Sequence, residues 1–285
     1  MLRQPPRSGR SASDPPQIRL RDARATLRPV PPSTPPRVTF LGHSTLLVEM
    51  DGGRLLTDPV LQERVGPLRR HGPSARASDL GRLDAVLVSH LHWDHLHLPS
   101  LRMLAPETLL VVPRGAGPAL ARRGFRRVAE IEPHELLEVG PLRVRATLAQ
   151  HGVRAPMAPW ADSVGFMIEG SQSLYFAGDT ELFPGMADLP RGGERLELAM
   201  LPVWGWGPRV GRGHLDPLRA AEALRLLRPR RALPIHWGTL YPVGLPWRRA
   251  HALTHAPELF AYHAARLAPE VDVRVLRPGE SMVLE

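Results

Sequence analysis

The chain has 285 residues, 43% of them apolar, ample for a packed core. It contains no cysteine, which excludes disulfides, thiolate ligands and thiol nucleophiles and leaves only nitrogen and oxygen ligands for any metal. The formal charge is +9 and all 37 basic residues are arginine; with no dense basic block and no basic stripe interleaved with aromatics, this composition points to codon usage and away from a nucleic-acid partner.

No apolar run reaches the roughly 18 residues needed to span a bilayer. The first residues, Met1-Leu2-Arg3-Gln4-Pro5-Pro6, lack the apolar segment of a secretory signal, so a cytoplasmic protein is expected. Residues 1–36 are rich in Pro, Arg and Ser and offer little apolar surface, so they are expected to form a flexible or extended arm. No repeat and no later linker interrupts residues 37–285, which are expected to form one domain.

That domain opens as a β-meander: Val38–Leu41, Thr45–Met50 and Arg54–Thr57, with the hairpin signal Asp51-Gly52-Gly53 between the last two. The third strand ends at Asp58-Pro59. Residues 61–83 have mixed polarity and read as loop with a short helix. The run Ala85-Val86-Leu87-Val88 reads as a buried strand. A short helix is expected from Leu98 to about Leu104, a strand over Thr108–Val112, and a helix from Gly115 to Arg123 that stops at Gly124. Leu142–Leu148 alternates like a half-buried strand and delivers Gln150-His151-Gly152. Ser163–Glu169 and Ser173–Ala177 pair around Gly170, and the second leads into Gly178-Asp179-Thr180. Glu197–Leu201 leads to the tryptophan-rich turn at Trp204 and Trp206. Asp216-Pro217 is a helix N-cap followed by proline at the first helical position. Arg230–Ile235 is a strand ending in His236-Trp237. A last helix is expected over Pro257–Leu267, then closing strands at Val271–Leu276 and Ser281–Leu284. Strands first as a meander, then alternating with helices in both halves, fit two sheets covered by helices on their outer faces, an α/β architecture.

The chemistry is concentrated in Ser89-His90-Leu91-His92-Trp93-Asp94-His95. From His90 on, three imidazoles and one carboxylate fall in six positions directly after a buried strand. Rings so close together need their polar nitrogens satisfied, and a metal satisfies several at once. Further strand ends carry Asp58, His151, Asp179 and His236. Taken singly, a strand-end His is usually hydrogen-bonded at the surface and an Asp after Gly usually caps a turn; together they form a ligand set without sulfur.

These residues, in this order, resemble the metallo-β-lactamase superfamily over residues 37–285. The resemblance implies a four-layer αββα sandwich with a dinuclear site at one edge of the sheets. By the family pattern His90, His92 and His151 hold one metal, Asp94, His95 and His236 the second, and Asp179 bridges them. Leu41-Gly42-His43-Ser44-Thr45, Leu56-Thr57-Asp58-Pro59 and Ile235-His236-Trp237-Gly238-Thr239 are similar to the branch containing N-acyl-phosphatidylethanolamine-hydrolysing phospholipase D and L-ascorbate-6-phosphate lactonase. The short stretch between His151 and Asp179 departs from the phospholipase pattern.

The implied cofactor is a pair of divalent ions, zinc first, with manganese or iron also compatible with an all-N/O set. The implied reaction is hydrolysis of a phosphodiester, lactone or other ester by a metal-bound hydroxide. A nucleic-acid-processing hydrolase and a di-iron redox member are the alternatives. Asp94 is expected to orient the nucleophile, and Asp58 to orient a ligand imidazole. His43 is expected behind the ligands. His214 reads equally as a catalytic residue, a proton donor or oxyanion partner, and as a loop histidine beside the helix N-cap. Trp204, Trp206 and Trp237 are candidates to wall the pocket, with packing favoured for at least one. The role of His97 stays open, and His71, His134, His251, His255 and His263 read as structural or surface residues. A small-molecule or lipid-derived substrate is expected; peripheral membrane contact and oligomeric state stay open.

Overall fold

The computed structural model describes residues 34–152, 161–190, 195–204, 211–244 and 251–285. The first strand begins at Arg37. Two seven-stranded mixed sheets form the frame. From edge to edge the first runs Ser281–Val283, Arg37–Gly42, Thr45–Met50, Gly53–Thr57, Ala85–Leu87, Leu109–Pro113 and Val128–Ile131. The second runs Asp272–Val273, Arg231–Ile235, Leu198–Pro202, Ser173–Phe176, Val164–Glu169, Leu142–Leu148 and Leu136–Val139.

Strand alternation divides the side chains of the first sheet between two cores. Leu46, Val48, Met50, Leu55, Ala85, Leu87, Leu109 and Val111 face the second sheet. Leu47, Leu56, Val86, Val88, Leu110 and Val112 face the opposite way, onto Leu101 of the short helix Leu98–Leu101 and Leu120 of the helix Gly117–Ala121. Beyond the second sheet lie the helices Pro217–Leu227 and His251–Leu267, which pack on one another and bury Ala220, Leu224, Phe260 and Ala264. Four layers, helix–sheet–sheet–helix, result, the expected sandwich. The predicted N-cap at Asp216 is present: its carboxylate accepts from Arg219 N at 2.9 Å.

Strand direction collects the site at one edge. Gly53–Thr57, Ala85–Leu87 and Leu109–Pro113 are parallel in the first sheet, and Ser173–Phe176, Leu198–Pro202 and Arg231–Ile235 are parallel in the second. Leu142–Leu148 and Arg37–Gly42 reach the same direction through two antiparallel steps each. The segments carrying His43, Asp58, His90, His151, Asp179 and His236 all leave carboxyl ends of these strands.

Several boundaries differ from expectation. Val128–Ile131 and Leu136–Val139 are strands of four residues, too short for their alternation to register against the surrounding polar residues. Within residues 61–83, Arg64–Val65 and Leu68–Arg70 form a hairpin that pairs with Leu240–Pro242 as a small third sheet. No local pattern announces strands of two or three residues whose partner lies far along the chain. The last helix begins at His251, so Pro257 lies inside it instead of opening it. Only Asp272–Val273 of the expected Val271–Leu276 strand is paired. Among the described residues no helix is long and apolar enough to cross a membrane.

Candidate metal centre

The site is assembled on Asp58. Its backbone N donates to Leu87 O at 2.9 Å, locking the end of one parallel strand to the next. Its fully buried carboxylate accepts from Ser89 N at 2.7 Å, Ser89 Oγ at 2.6 Å and His95 Nδ1 at 2.7 Å. Because the single Ser89 hydroxyl proton goes to Asp58, Ser89 Oγ is left to accept from His90 Nδ1 at 3.0 Å. The segment after Phe176 reaches Ser89 through Gly178, whose φ is +59°. A Cβ there would stand 2.5 Å from Ser89 Cβ. Gly178→Ala is therefore expected to destabilise the protein by about 2–3 kcal/mol, from the strained backbone and the overlap together. A urea titration checks this, and an unchanged midpoint would show that Ser89 moves aside freely.

Ring tautomers follow from the partners of Nδ1. His90 Nδ1 donates to Ser89 Oγ, His95 Nδ1 to Asp58, His151 Nδ1 to Gly213 O at 2.7 Å, and His236 Nδ1 to Trp204 O at 2.6 Å. With Nδ1 engaged, the Nε2 of each ring faces the site; burial keeps those of His90 and His151 bare, while the carboxylates around His95 favour a proton on its Nε2. His92 is reversed: its Nδ1 lies 2.9 Å from His90 Nε2 and 3.0 Å from His151 Nε2. At most one proton, on His92 Nδ1, is available to two lone pairs there. Burial and the neighbouring His151 push His92 down to about 4, so a charged ring is disfavoured as well.

The second group surrounds Asp94. His43, Asp94, His95 and His236 are all buried and each offers a ligand atom within 4.8 Å of the others. Among the described residues His43 Nε2, His95 Nε2, His236 Nε2 and Asp179 Oδ1 have no hydrogen-bond partner of adequate geometry. Asp179 stands between the two groups. Its Oδ2 is 3.2 Å from His236 Nε2, 3.4 Å from His95 Nε2 and 4.0 Å from His90 Nε2. Burial opposes ionisation of Asp179, but His236 and His95 prevail and hold it well below the usual carboxylate range. His95 shows the complement: burial disfavours its charge, yet Asp179, Asp94 and Asp58 raise it well above its ordinary value. Crowded lone pairs, orphaned buried nitrogens and anionic carboxylates are a donor set that calls for cations. Imidazole nitrogen and carboxylate oxygen fit zinc, manganese or iron.

The structure thus brings together all seven residues named as ligands: His90, His92, Asp94, His95, His151, Asp179 and His236. His43 is nearer than expected. Its backbone, at φ 55°, donates to Thr239 Oγ1 at 2.7 Å and its carbonyl accepts from His236 N at 2.8 Å. Its ring lies 4.2 Å from that of His236, and its Nε2 lies 3.3 Å from Asp94 Oδ2. Burial, then His236, pushes it down to about 3, leaving it neutral. His214 also belongs to the centre, with Nε2 3.2 Å from Asp179 Oδ2 and its ring 4.8 Å from His151. His97 does not: its Nδ1 pairs with Ser100 Oγ at 2.7 Å beside the Leu98–Leu101 helix. His255 and His263 lie on the last helix beside Glu258 and Tyr262, apart from the centre, and His71 packs against Tyr241.

A pocket beside the second group is lined by His43, Trp204, His236, Trp237, Gly238 and Leu240. Trp237 is largely a packing residue, stacked on Phe40 at 6.0 Å and donating to Pro234 O at 2.9 Å. Trp206 lies outside the described residues. Trp93, between His92 and Asp94, is 58% exposed and leaves an indole on the surface beside the centre. Two supports carried no signal in the sequence. Arg70 is buried and, among the described residues, pairs with no carboxylate; it donates to Leu41 O at 3.0 Å and Val60 O at 2.6 Å, tying the segments of His43 and Asp58 to the small sheet. Glu181 accepts from Gly213 N at 2.6 Å.

Residues 53–237 match the sequence model of a family described as the beta-lactamase superfamily domain. The chain is 31% identical over 237 residues to N-acyl-phosphatidylethanolamine-hydrolyzing phospholipase D 1 of Caenorhabditis elegans, covering 72% of this chain. It spans 64% of the length of that relative. It is also 31% identical over 253 residues to a protein described as a metal-dependent hydrolase from Methanopyrus kandleri, covering 86% of this chain and 98% of the other. Among solved structures, a metallo hydrolase from the archaeon Ignicoccus hospitalis superposes with a TM-score of 0.67 at 23% identity, over 88% of this chain and 99% of the other. At that identity the likeness establishes the fold.

Proposed function

We propose that this chain, which belongs to the beta-lactamase superfamily, is a metal-dependent hydrolase whose centre takes two divalent ions, zinc first, and cleaves an ester, lactone or phosphodiester. The observation that carries this reading is the convergence of His90 Nε2, His92 Nδ1 and His151 Nε2 within hydrogen-bonding range with at most one proton among the three. The second group, Asp94, His95 and His236, faces the same Asp179 carboxylate. Divalent ions in such a centre would supply Lewis acidity and lower the pKa of a bound water towards ~7. The protein's own groups do the rest. Asp94, whose anionic form burial opposes but His95 and His43 hold, is placed to orient the attacking water. His214, beside Asp179, can donate one to the leaving group. Trp93 offers exposed apolar surface to the remainder of a small or lipid-derived substrate. The phospholipase relative and the hydrolase relative support this class of chemistry.

The test is a panel of bis-p-nitrophenyl phosphate, lactones and N-acyl phospholipids with protein loaded with zinc or manganese. Hydrolysis of at least one, abolished by EDTA, is expected. Asp94→Ala should lower kcat by about 10²–10⁴-fold while its thermal melt stays cooperative. Two irons with visible absorption and no hydrolysis would favour redox chemistry, and cleavage of RNA alone would favour nucleic-acid processing. Full turnover in the Asp94 variant would overturn the assignment of its role.

A further inference from the structure

We propose that Glu181 is a positioning residue of this centre: through the Gly213 backbone it fixes the tautomer and placement of His151 and carries His214 to Asp179. The inference rests on the metallo-hydrolase reading and assigns a part of the same site. Glu181 touches none of the convergent nitrogens. Its Oε1 accepts from Gly213 N at 2.6 Å, and Gly213 O accepts from His151 Nδ1 at 2.7 Å. That second bond obliges His151 to present an unprotonated Nε2 to His90 and His92.

The bracing runs both ways. Gln150 N donates to Thr180 Oγ1 at 2.9 Å, and Glu181 N donates to Gln150 O at 2.8 Å, so the His151 segment is bound directly to the segment bearing Asp179. The Glu181 carboxylate then adds the third segment, with Gly213 and His214. His214 follows Gly213 and stands 3.2 Å from Asp179 Oδ2 and edge-on to His151. The fit at Gly213 is close. At φ +86° a Cβ would stand 3.0 Å from His151 Nδ1 and 3.2 Å from Gly152 N. One carboxylate on a backbone amide thus coordinates three loops of the site. A charge-assisted bond of this kind is stronger than a neutral one and holds a fixed direction.

Glu130 provides a matched control. It also accepts backbone amides, from Gly115 N at 2.9 Å and Gly117 N at 2.6 Å, away from the centre. The experiment titrates the metal-free full-length protein with Co(II) below its melting temperature and records affinity and the d–d absorption bands. Glu181→Ala is expected to weaken Co(II) binding by about 10-fold, the low end of the cost of losing an outer partner of a ligand histidine because Gly213 O is loosened and not removed, and to shift the bands. Glu181→Gln keeps an acceptor oxygen and should stay within a few-fold of wild type. Gly213→Ala should reproduce the Glu181→Ala spectrum. Glu130→Ala should leave affinity and bands unchanged. Wild-type affinity and bands in Glu181→Ala would overturn the proposal, as would an equal loss in Glu130→Ala, which would mark a general effect of removing a brace. A wild-type protein that binds no Co(II) would overturn the metallo-hydrolase reading itself, a result distinct from either.

Discussion

His92→Ala is expected to abolish hydrolysis and to remove much of the stabilisation that zinc confers, while leaving the metal-free protein as stable as wild type. The two halves of this result have different causes. In the metal-free chain His92 is only partly buried, and its Nδ1 crowds two other ring nitrogens with at most one proton among them. Removing it deletes no satisfied network and relieves that crowding. Metal binding is another matter, since in the proposed centre three ligand atoms would fall to two. A ligand that binds only the folded state at a hundred times its Kd stabilises by about 2.7 kcal/mol, and at a thousand times by about 4.1 kcal/mol. A tenfold or greater loss of affinity therefore lowers the zinc-dependent rise in melting temperature, whereas the melting temperature in EDTA should not move. Paired thermal melts with and without zinc, beside turnover, make the measurement. Retention of both the zinc shift and the activity would show that His92 is not a ligand.

Asp58→Ala should do the reverse and harm the metal-free protein most. Asp58 is fully buried and accepts three hydrogen bonds, from Ser89 N, Ser89 Oγ and His95 Nδ1. Alanine leaves all three donors without an acceptor in a dry interior. The loss is expected to be about 3–5 kcal/mol, the range for breaking a buried charged network from one side. Its φ of 32° adds to this, because alanine tolerates the left-handed region less well than aspartate. Metal affinity should also fall by about 10- to 100-fold, since His95 and His90 both take their orientation from this carboxylate. Urea unfolding of the metal-free variant reads the first effect, and metal titration of whatever remains folded reads the second. A variant with wild-type stability would mean that a water takes over the role of the carboxylate.

Much of this was legible without coordinates. The buried run Ala85–Val88 followed by His90, His92, Asp94 and His95 is local, and local patterns survive folding. So do the Asp216-Pro217 helix start and the meander around Asp51-Gly52-Gly53. The candidate ligand types were legible because no cysteine competes with them. His43 was underweighted for a physical reason. It sits in a turn whose own sequence says nothing of His236, and the bonds that seat it come from Thr239 and His236, nearly two hundred residues away. Arg70 was invisible for the same reason: a buried guanidinium that donates to backbone carbonyls of two other segments looks, in sequence, like any surface arginine.

The sequence by itself determined which atoms are available to bind metal, where strands and the main helices lie, and that the candidate ligands follow strand ends. Those are consequences of side-chain chemistry and of periodicity over a few residues. Tertiary structure alone decided which nitrogen of each ring faces inward, because that depends on acceptors such as Asp58, Gly213 O and Trp204 O supplied from elsewhere in the chain. It also decided that Asp179 stands between two groups of histidines, because parallel strands in two different sheets end at a common edge. Hydrogen-bond direction and strand register are long-range properties, and they turn a histidine-rich turn into a centre with the charge and geometry for cations.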